Sequence, residues 1–179
     1  MQDKELLEKF NHPDSKNYAF NLIVRKYQEK VYWHVRKIVY EHEDANDITQ
    51  DVFVKIWKNL HKFNQQSSLY TWIYRIATNE SLSFLQKKKR KLFGRGSEIN
   101  EELINKLTAS EQLSGDEVQL KLQKAIALLP DKQRIIFNMK YFDEMKYDQI
   151  SEILGTSVGA LKASYHHAVK KIESFLNKD

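Results

Sequence analysis

Between Pro13 and Gly94 the chain contains neither proline nor glycine. So long a run without a helix breaker, carrying apolar residues three and four apart, favours helix over any other regular structure. From Phe20 the apolar residues Phe20, Ile23, Val24, Tyr27, Val31, Val35 and Ile38 keep that spacing. After Asp44 the row Ile48, Val52, Ile56 and Leu60 repeats every four residues, with Phe53 and Trp57 beside it. A third helix is expected to start near Ser68 and run through Ile73, Ile76 and Ala77 towards Leu85. No segment shows the strict alternation of a strand, so the expected class is all-α.

Residues 92–114 lose this pattern and collect Gly, Ser, Asn and Glu. They read as a flexible linker, with a short helical turn near Glu101 to Leu107. Two small helical domains are therefore expected, over residues 1–91 and 115–179. In the second, Val118, Leu122, Ile126 and Leu129 build a helix that Pro130 stops. A further helix covers Ile135 to Tyr141, and two more run from Lys146 towards the end. The charge changes sign at the junction. Lys87, Lys88, Lys89, Arg90, Lys91 and Arg95 carry no acid among them, whereas Glu98, Glu101, Glu102, Glu111, Asp116 and Glu117 face a single Lys106. The net charge of +5 favours a polyanionic partner without naming one. The absence of cysteine excludes disulfides and thiolate metal sites. With no signal-peptide core in MQDKELLEKF and no apolar run of bilayer length, the expected location is the cytoplasm.

Residues 146–172 have the pattern of two short helices around a turn. Tyr147, Ile150, Ile153 and Leu154 form the apolar face of the first. Gly155 falls where a left-handed C-cap is expected, and Thr156 or Ser157 can cap the next helix. In the second helix Val158, Leu161, Tyr165, Ala168 and Ile172 face inward. Lys162, Ala163, Ser164, His166, His167 and Lys170 face outward, lysines for phosphates beside groups able to approach base edges. This is the helix-turn-helix arrangement. A plain helical hairpin with a solvated basic face satisfies the same spacing, and so does a repressor.

Residues 44–91 place an acidic helix start, a short polar loop, an aromatic-rich helix and a basic run in order. Asp44, Asp47 and Asp51 share one helix face. Acids near a helix N-terminus suit the macrodipole; a metal site is the alternative, but nothing nearby completes one. The loop NQQSS leads into Tyr70, Trp72, Tyr74, Arg75 and Asn79, residue types that stack on and read unpaired bases. Core packing of Trp72 or Tyr74 is the competing reading.

Two ordered matches make this chain resemble the extracytoplasmic-function sigma factors. The first comprises Asp44, Ala45, Asp47, Gln50, Asp51 and Phe53, then Phe63 and Ser67, then the run from Thr71 to Asn79, followed by the basic stretch. The second is LPDKQRIIFNMKYFDEMKYDQISEILGTSVGALKASYHHAVKKI. Together they cover most of the chain apart from its first residues and the linker. The resemblance implies that Asp44, Asp47, Ile48, Gln50 and Asp51 grip the clamp helices of core RNA polymerase. It implies that Phe63, Asn64, Gln65, Gln66, Ser67 and Ser68 form the loop that captures a flipped base of the minus-ten element. Asn79 pairs with Phe63 at the family's spacing, with Tyr70, Thr71, Trp72 and Arg75 around it. Lys140, Ser157, Lys162, Ala163, Ser164, His166 and His167 correspond to positions that meet the minus-thirty-five element. The implied partners are core RNA polymerase, promoter DNA and an anti-sigma factor, membrane-bound or not. Ser151 departs from the family's usual small alanine. Ser164 and His167 stand where arginine is common, which thins the charge available to duplex phosphates.

Nothing in the pattern points to catalysis, a cofactor or a bound metal. The six histidines show no ligand spacing such as H-E-x-x-H, and no phosphate-binding or nucleophile-elbow glycine motif occurs. The expected protein is not an enzyme and takes no small-molecule substrate. The rival readings are a helix-turn-helix regulator that never engages polymerase and a helical adaptor that binds only protein.

Overall fold

The computed structural model describes residues 2–93 and 117–177, and every long element among them is an α-helix. The chain divides into two compact units, Met1–Leu82 and Ser83–Asp179. The expected linker lies outside the described residues except for Leu92 and Phe93, whose backbone ends the fourth helix.

The first unit opens with α1 (Asp3–Phe10), which the periodicity argument had passed over. Leu6, Leu7 and Phe10 are buried on one side of it. A short 3-10 turn, Pro13–Ser15, leads into the long α2 (Lys16–Val39). Asp3 fastens α1 to α2 by accepting from the Lys26 ammonium and from the Tyr27 hydroxyl, both at 2.7 Å. Burial first, and then this carboxylate, push the Tyr27 phenol well above its ordinary value. α2 ends with Tyr40 in a left-handed conformation (φ 65°), its N–H donating to the Arg36 carbonyl. The chain turns there into α3 (His42–Asn59). Ile23, Val31, Val35 and Ile38 from α2 meet Val52 and Ile56 from α3 in a fully buried core. The rings of Phe10, Phe20 and Trp57 close one end of it, with Phe20 and Trp57 4.9 Å apart. A second 3-10 turn, Leu60–Lys62, precedes a polar loop and then α4 (Leu69–Phe93). The basic residues from Lys87 to Lys91, predicted to begin a junction, are therefore a continuation of this helix. A Lys55–Glu80 ion pair ties α3 to α4.

The described part of the second unit beyond residue 116 contains α5 (Glu117–Ala127), α6 (Asp131–Tyr141), α7 (Tyr147–Leu154) and α8 (Val158–Leu176). Ala125, Ile126, Leu129, Phe137, Ala168 and Ile172 form its core, so α8 packs on both α5 and α6. Val118, one of the apolar residues expected to build α5, is 71% exposed. Pro130 stops α5 and its carbonyl accepts from the Arg134 N–H in the first turn of α6. The buried Arg134 guanidinium then holds that corner through Asp131 at 3.0 Å and the Leu129 carbonyl at 3.3 Å.

Candidate nucleic-acid interface

α7 and α8 meet at Gly155, whose φ of 64° is the left-handed value that glycine adopts without a Cβ penalty. Its N–H donates to the Ser151 carbonyl at 2.8 Å, closing α7. Two residues later the Ser157 hydroxyl accepts from the Ala160 N–H at 3.3 Å and caps α8. Of the two caps open to the sequence, Ser157 performs this one, while the Thr156 hydroxyl reaches back to the Leu154 carbonyl. Ser157 was also predicted as a DNA contact; its oxygen is engaged in the cap.

On α8, Leu161, Ala168 and Ile172 are buried, whereas Lys162, Ala163, His166, His167 and Lys170 are exposed and Ser164 is half-buried. This divides the helix along the predicted line. Tyr147, at the start of α7, organises the nearby cations. The ammonium of Lys140 lies 5.0 Å from its ring centroid and that of Lys162 5.9 Å. Lys140 also donates to the Met145 carbonyl at 3.2 Å, so it braces the turn between α6 and α7 rather than projecting freely. Partial burial, followed by the neighbouring Tyr165, raises the Tyr147 phenol above its usual value.

In the first unit the exposed side of α3 carries Asp47, Gln50, Asp51 and Val54, spaced so that all four share one face. Val54 is 50% exposed and had not been singled out, because an isolated valine in a helix reads as core. Asp44 is half-buried in the first turn, where a carboxylate suits the helix dipole. Ile48 had been grouped with these acids, but it is 5% exposed and points into the core. It follows Asp47 by one position and precedes Gln50 by two, about 100° and 200° round the helix, so it faces inward in one row with the buried Val52 and Ile56. Beside the stripe, a groove of about 490 Å³ runs between α2 and α3, lined in part by Phe20, Val24, Gln50, Phe53 and Trp57.

The polar loop is locally built. The Asn64 carboxamide oxygen accepts from the Gln66 N–H at 3.2 Å, and Gln65 between them has a left-handed φ of 57°. A non-glycine residue there costs free energy that the surrounding turn must offset. Ser68 caps α4 by accepting from the Thr71 N–H at 3.0 Å, and its hydroxyl also meets the Thr71 hydroxyl at 2.9 Å. Phe63 folds back on Trp72 with ring centroids 5.2 Å apart. Asn64, Gln65, Gln66 and Ser68 are exposed, and Phe63 and Ser67 half-buried.

Along α4, Trp72, Arg75 and Asn79 share a face; Trp72 is half-buried and the other two are exposed. Tyr70 is half-buried and stacks at 4.1 Å on Tyr74, which is itself buried. Thr71 was expected among the base contacts. At 2% exposure, and paired with Ser68, it points into the domain and secures the start of the helix instead. Sequence reasoning missed the residue beneath this face, His34 of α2, whose ring is buried against α4. A lone histidine in an amphipathic pattern gives no hint of which distant residue it meets.

Two helical domains, one closing on a helix–glycine–helix pair and the other presenting a polar loop and an amide- and aromatic-bearing helix, define a DNA-binding transcription protein. Residues 23–91 match the family described as Sigma-70 region 2, and residues 119–172 match Sigma-70, region 4. The chain is 31% identical to the ECF RNA polymerase sigma factor SigW of Bacillus subtilis, over 83% of each chain. It is 27% identical to the RNA polymerase sigma-H factor of Pseudomonas aeruginosa, over 98% of this chain and 94% of that one. The same fold occurs in the sigma factor RpoE of Bartonella quintana, solved in complex with the anti-sigma factor NepR. That likeness has a TM-score of 0.70 and 22% identity, covering 89% of this chain and 98% of the other. The chain belongs to the ECF RNA polymerase sigma factors and acts in transcription initiation.

Proposed function

We propose that this sigma factor divides initiation between its domains. α3 docks on core RNA polymerase through Asp47, Gln50 and Asp51, with Asp44 at its edge and Val54 adding apolar contact. The loop from Phe63 to Ser68, followed by Tyr70, Trp72, Arg75 and Asn79, captures unpaired bases of the minus-ten element. α8 enters duplex at the minus-thirty-five element, with Lys162 on phosphate and Ala163, Ser164, His166 and His167 near base edges.

The observation that carries this reading is the exposed row Trp72, Arg75 and Asn79 beside a strained, solvent-facing polar loop. Duplex exposes its bases to such a face only after strands part, so the reading couples recognition to melting. A regulator that binds only duplex needs neither this face nor the acidic stripe on α3. The protein works by binding rather than by catalysis, and its place is the cytoplasm, where polymerase and promoter are. RpoE of Bartonella quintana is held by an anti-sigma factor, and a partner of that kind is proposed here as well. Among the described residues no helix is long and apolar enough to cross a membrane. Run-off transcription with purified core polymerase and a set of candidate promoters tests the reading. Initiation that depends on this protein supports it, and polymerase that initiates equally without it overturns it.

A further inference from the structure

The base-reading face of α4 rests on a buried polar contact with α2. His34 is 3% exposed and Thr78 fully buried, and the His34 Nε2 lies 2.8 Å from the Thr78 hydroxyl. That hydroxyl also donates to the Tyr74 carbonyl at 2.7 Å. A threonine hydroxyl has one proton, and a carbonyl can only accept. Thr78 therefore receives its bond from His34, and Nε2 carries the hydrogen. The His34 ring also lies against Tyr74, with centroids 4.7 Å apart, and Tyr74 stacks in turn on Tyr70. The Tyr74 hydroxyl returns to α2 by donating to the Lys30 carbonyl at 3.3 Å. Thr78 immediately precedes Asn79, and Tyr74 immediately precedes Arg75.

We infer that His34 is a positioning residue for base capture, an assignment that rests on the reading of α4 given above. Apolar contacts are non-directional and orient a helix only through the fit of its packed side chains. A hydrogen bond fixes direction, and this one fixes the turn of α4 that carries Asn79 outward. The ring series from His34 through Tyr74 to Tyr70 backs the half-buried edge of the same face, so a base arriving at Tyr70 meets a surface that does not yield.

The test uses full-length protein assembled with core polymerase. His34→Phe keeps the ring but removes the donor; His34→Gln keeps an N–H donor without the ring. Open-complex formation on duplex promoter is expected to fall roughly two- to tenfold with His34→Phe and to recover in part with His34→Gln, which restores the donor but not the ring. Co-purification with polymerase and binding of upstream duplex should not change. In an Asn79→Ala background, His34→Phe should add little, because both changes act through the same contact. Ile38→Val, a buried truncation on the same helix, should leave opening intact despite its cost in stability. If His34→Phe opens promoters normally while Asn79→Ala does not, the positioning role is wrong and the base-reading assignment survives. Full multiplication of the two defects, or an equal defect from Ile38→Val, reduces His34 to a general stabilising residue. Normal opening with Asn79→Ala removes the base-reading face itself and the inference with it. Should His34→Phe fail to fold, Thr78→Val breaks the same bond from the other side and is judged by the same outcomes.

Discussion

The two surfaces proposed to face DNA are held in different ways. The α7–α8 pair is set by a single left-handed glycine, a serine cap and an apolar core beneath α8. The surface of α4 depends on polar groups buried underneath it, with Thr71 on Ser68, Thr78 on His34 and Ser81 on the Ala77 carbonyl. The difference fits what each surface is proposed to meet. Duplex offers a preformed groove, so a helix at a fixed angle suffices and long lysines take up small errors. An unpaired base has no scaffold of its own, and capture depends on how firmly the protein holds the receiving side chains.

The strongest test of this contrast lies outside both surfaces. Replacing Asp47 and Asp51 together with lysine should abolish co-purification with core polymerase while leaving the helical circular-dichroism signal unchanged, since both residues are exposed. Retained polymerase binding would move docking away from α3. Asn79→Ala comes next, and it should reduce opening of duplex promoter by roughly ten- to a hundredfold, the scale of losing one directed base contact. Its effect on upstream binding should be much smaller. Lys162→Ala should weaken upstream binding evenly across sequences and lower the salt slope by about one. A change at His166 should alter which upstream sequence is preferred. If Asn79→Ala opens promoters normally while Lys162→Ala blocks initiation on template already melted, the two surfaces have exchanged roles.

Smaller effects sharpen how the domains are held. A Cβ at position 155 would meet nothing within 4 Å, so Gly155→Ala pays only for its backbone angle. That cost is about 1 to 2 kcal/mol, readable as a lower melting temperature for the second domain. A much larger loss would show that neighbouring atoms crowd the turn. Tyr27→Phe should cost about 0.5 to 1 kcal/mol by removing the bond to Asp3. Because the folded-state phenol is raised, the proton is held more tightly in the folded protein than in the unfolded chain. Its contribution is complete below the ordinary phenol value of about 10 and declines as pH rises above it. The stability gap between wild type and Tyr27→Phe should therefore narrow in alkali, as followed by denaturant unfolding across pH.

Much of the architecture was legible before any coordinate. The helices after α1, the inward stripes of α2, α3 and α8 and the turn at Gly155 followed from spacing and residue type, because each is set by neighbours within a few positions; the family followed from resemblance over two ordered motif blocks. The acidic stripe was legible for the same reason, once Ile48 is removed from it and Val54 added. Contacts across long separations were not. Nothing local announces that His34 and Thr78 meet, since they are 44 residues apart and either could face water in an isolated helix. Thr71 matched a reading motif yet turned inward to pair with Ser68, and Lys140 matched a contact position yet braces the turn that precedes α7. Periodicity determines which side of a helix is apolar. Which polar side chains are buried there is decided only when another helix arrives with a donor or acceptor for them, and that depends on packing between segments far apart in the chain.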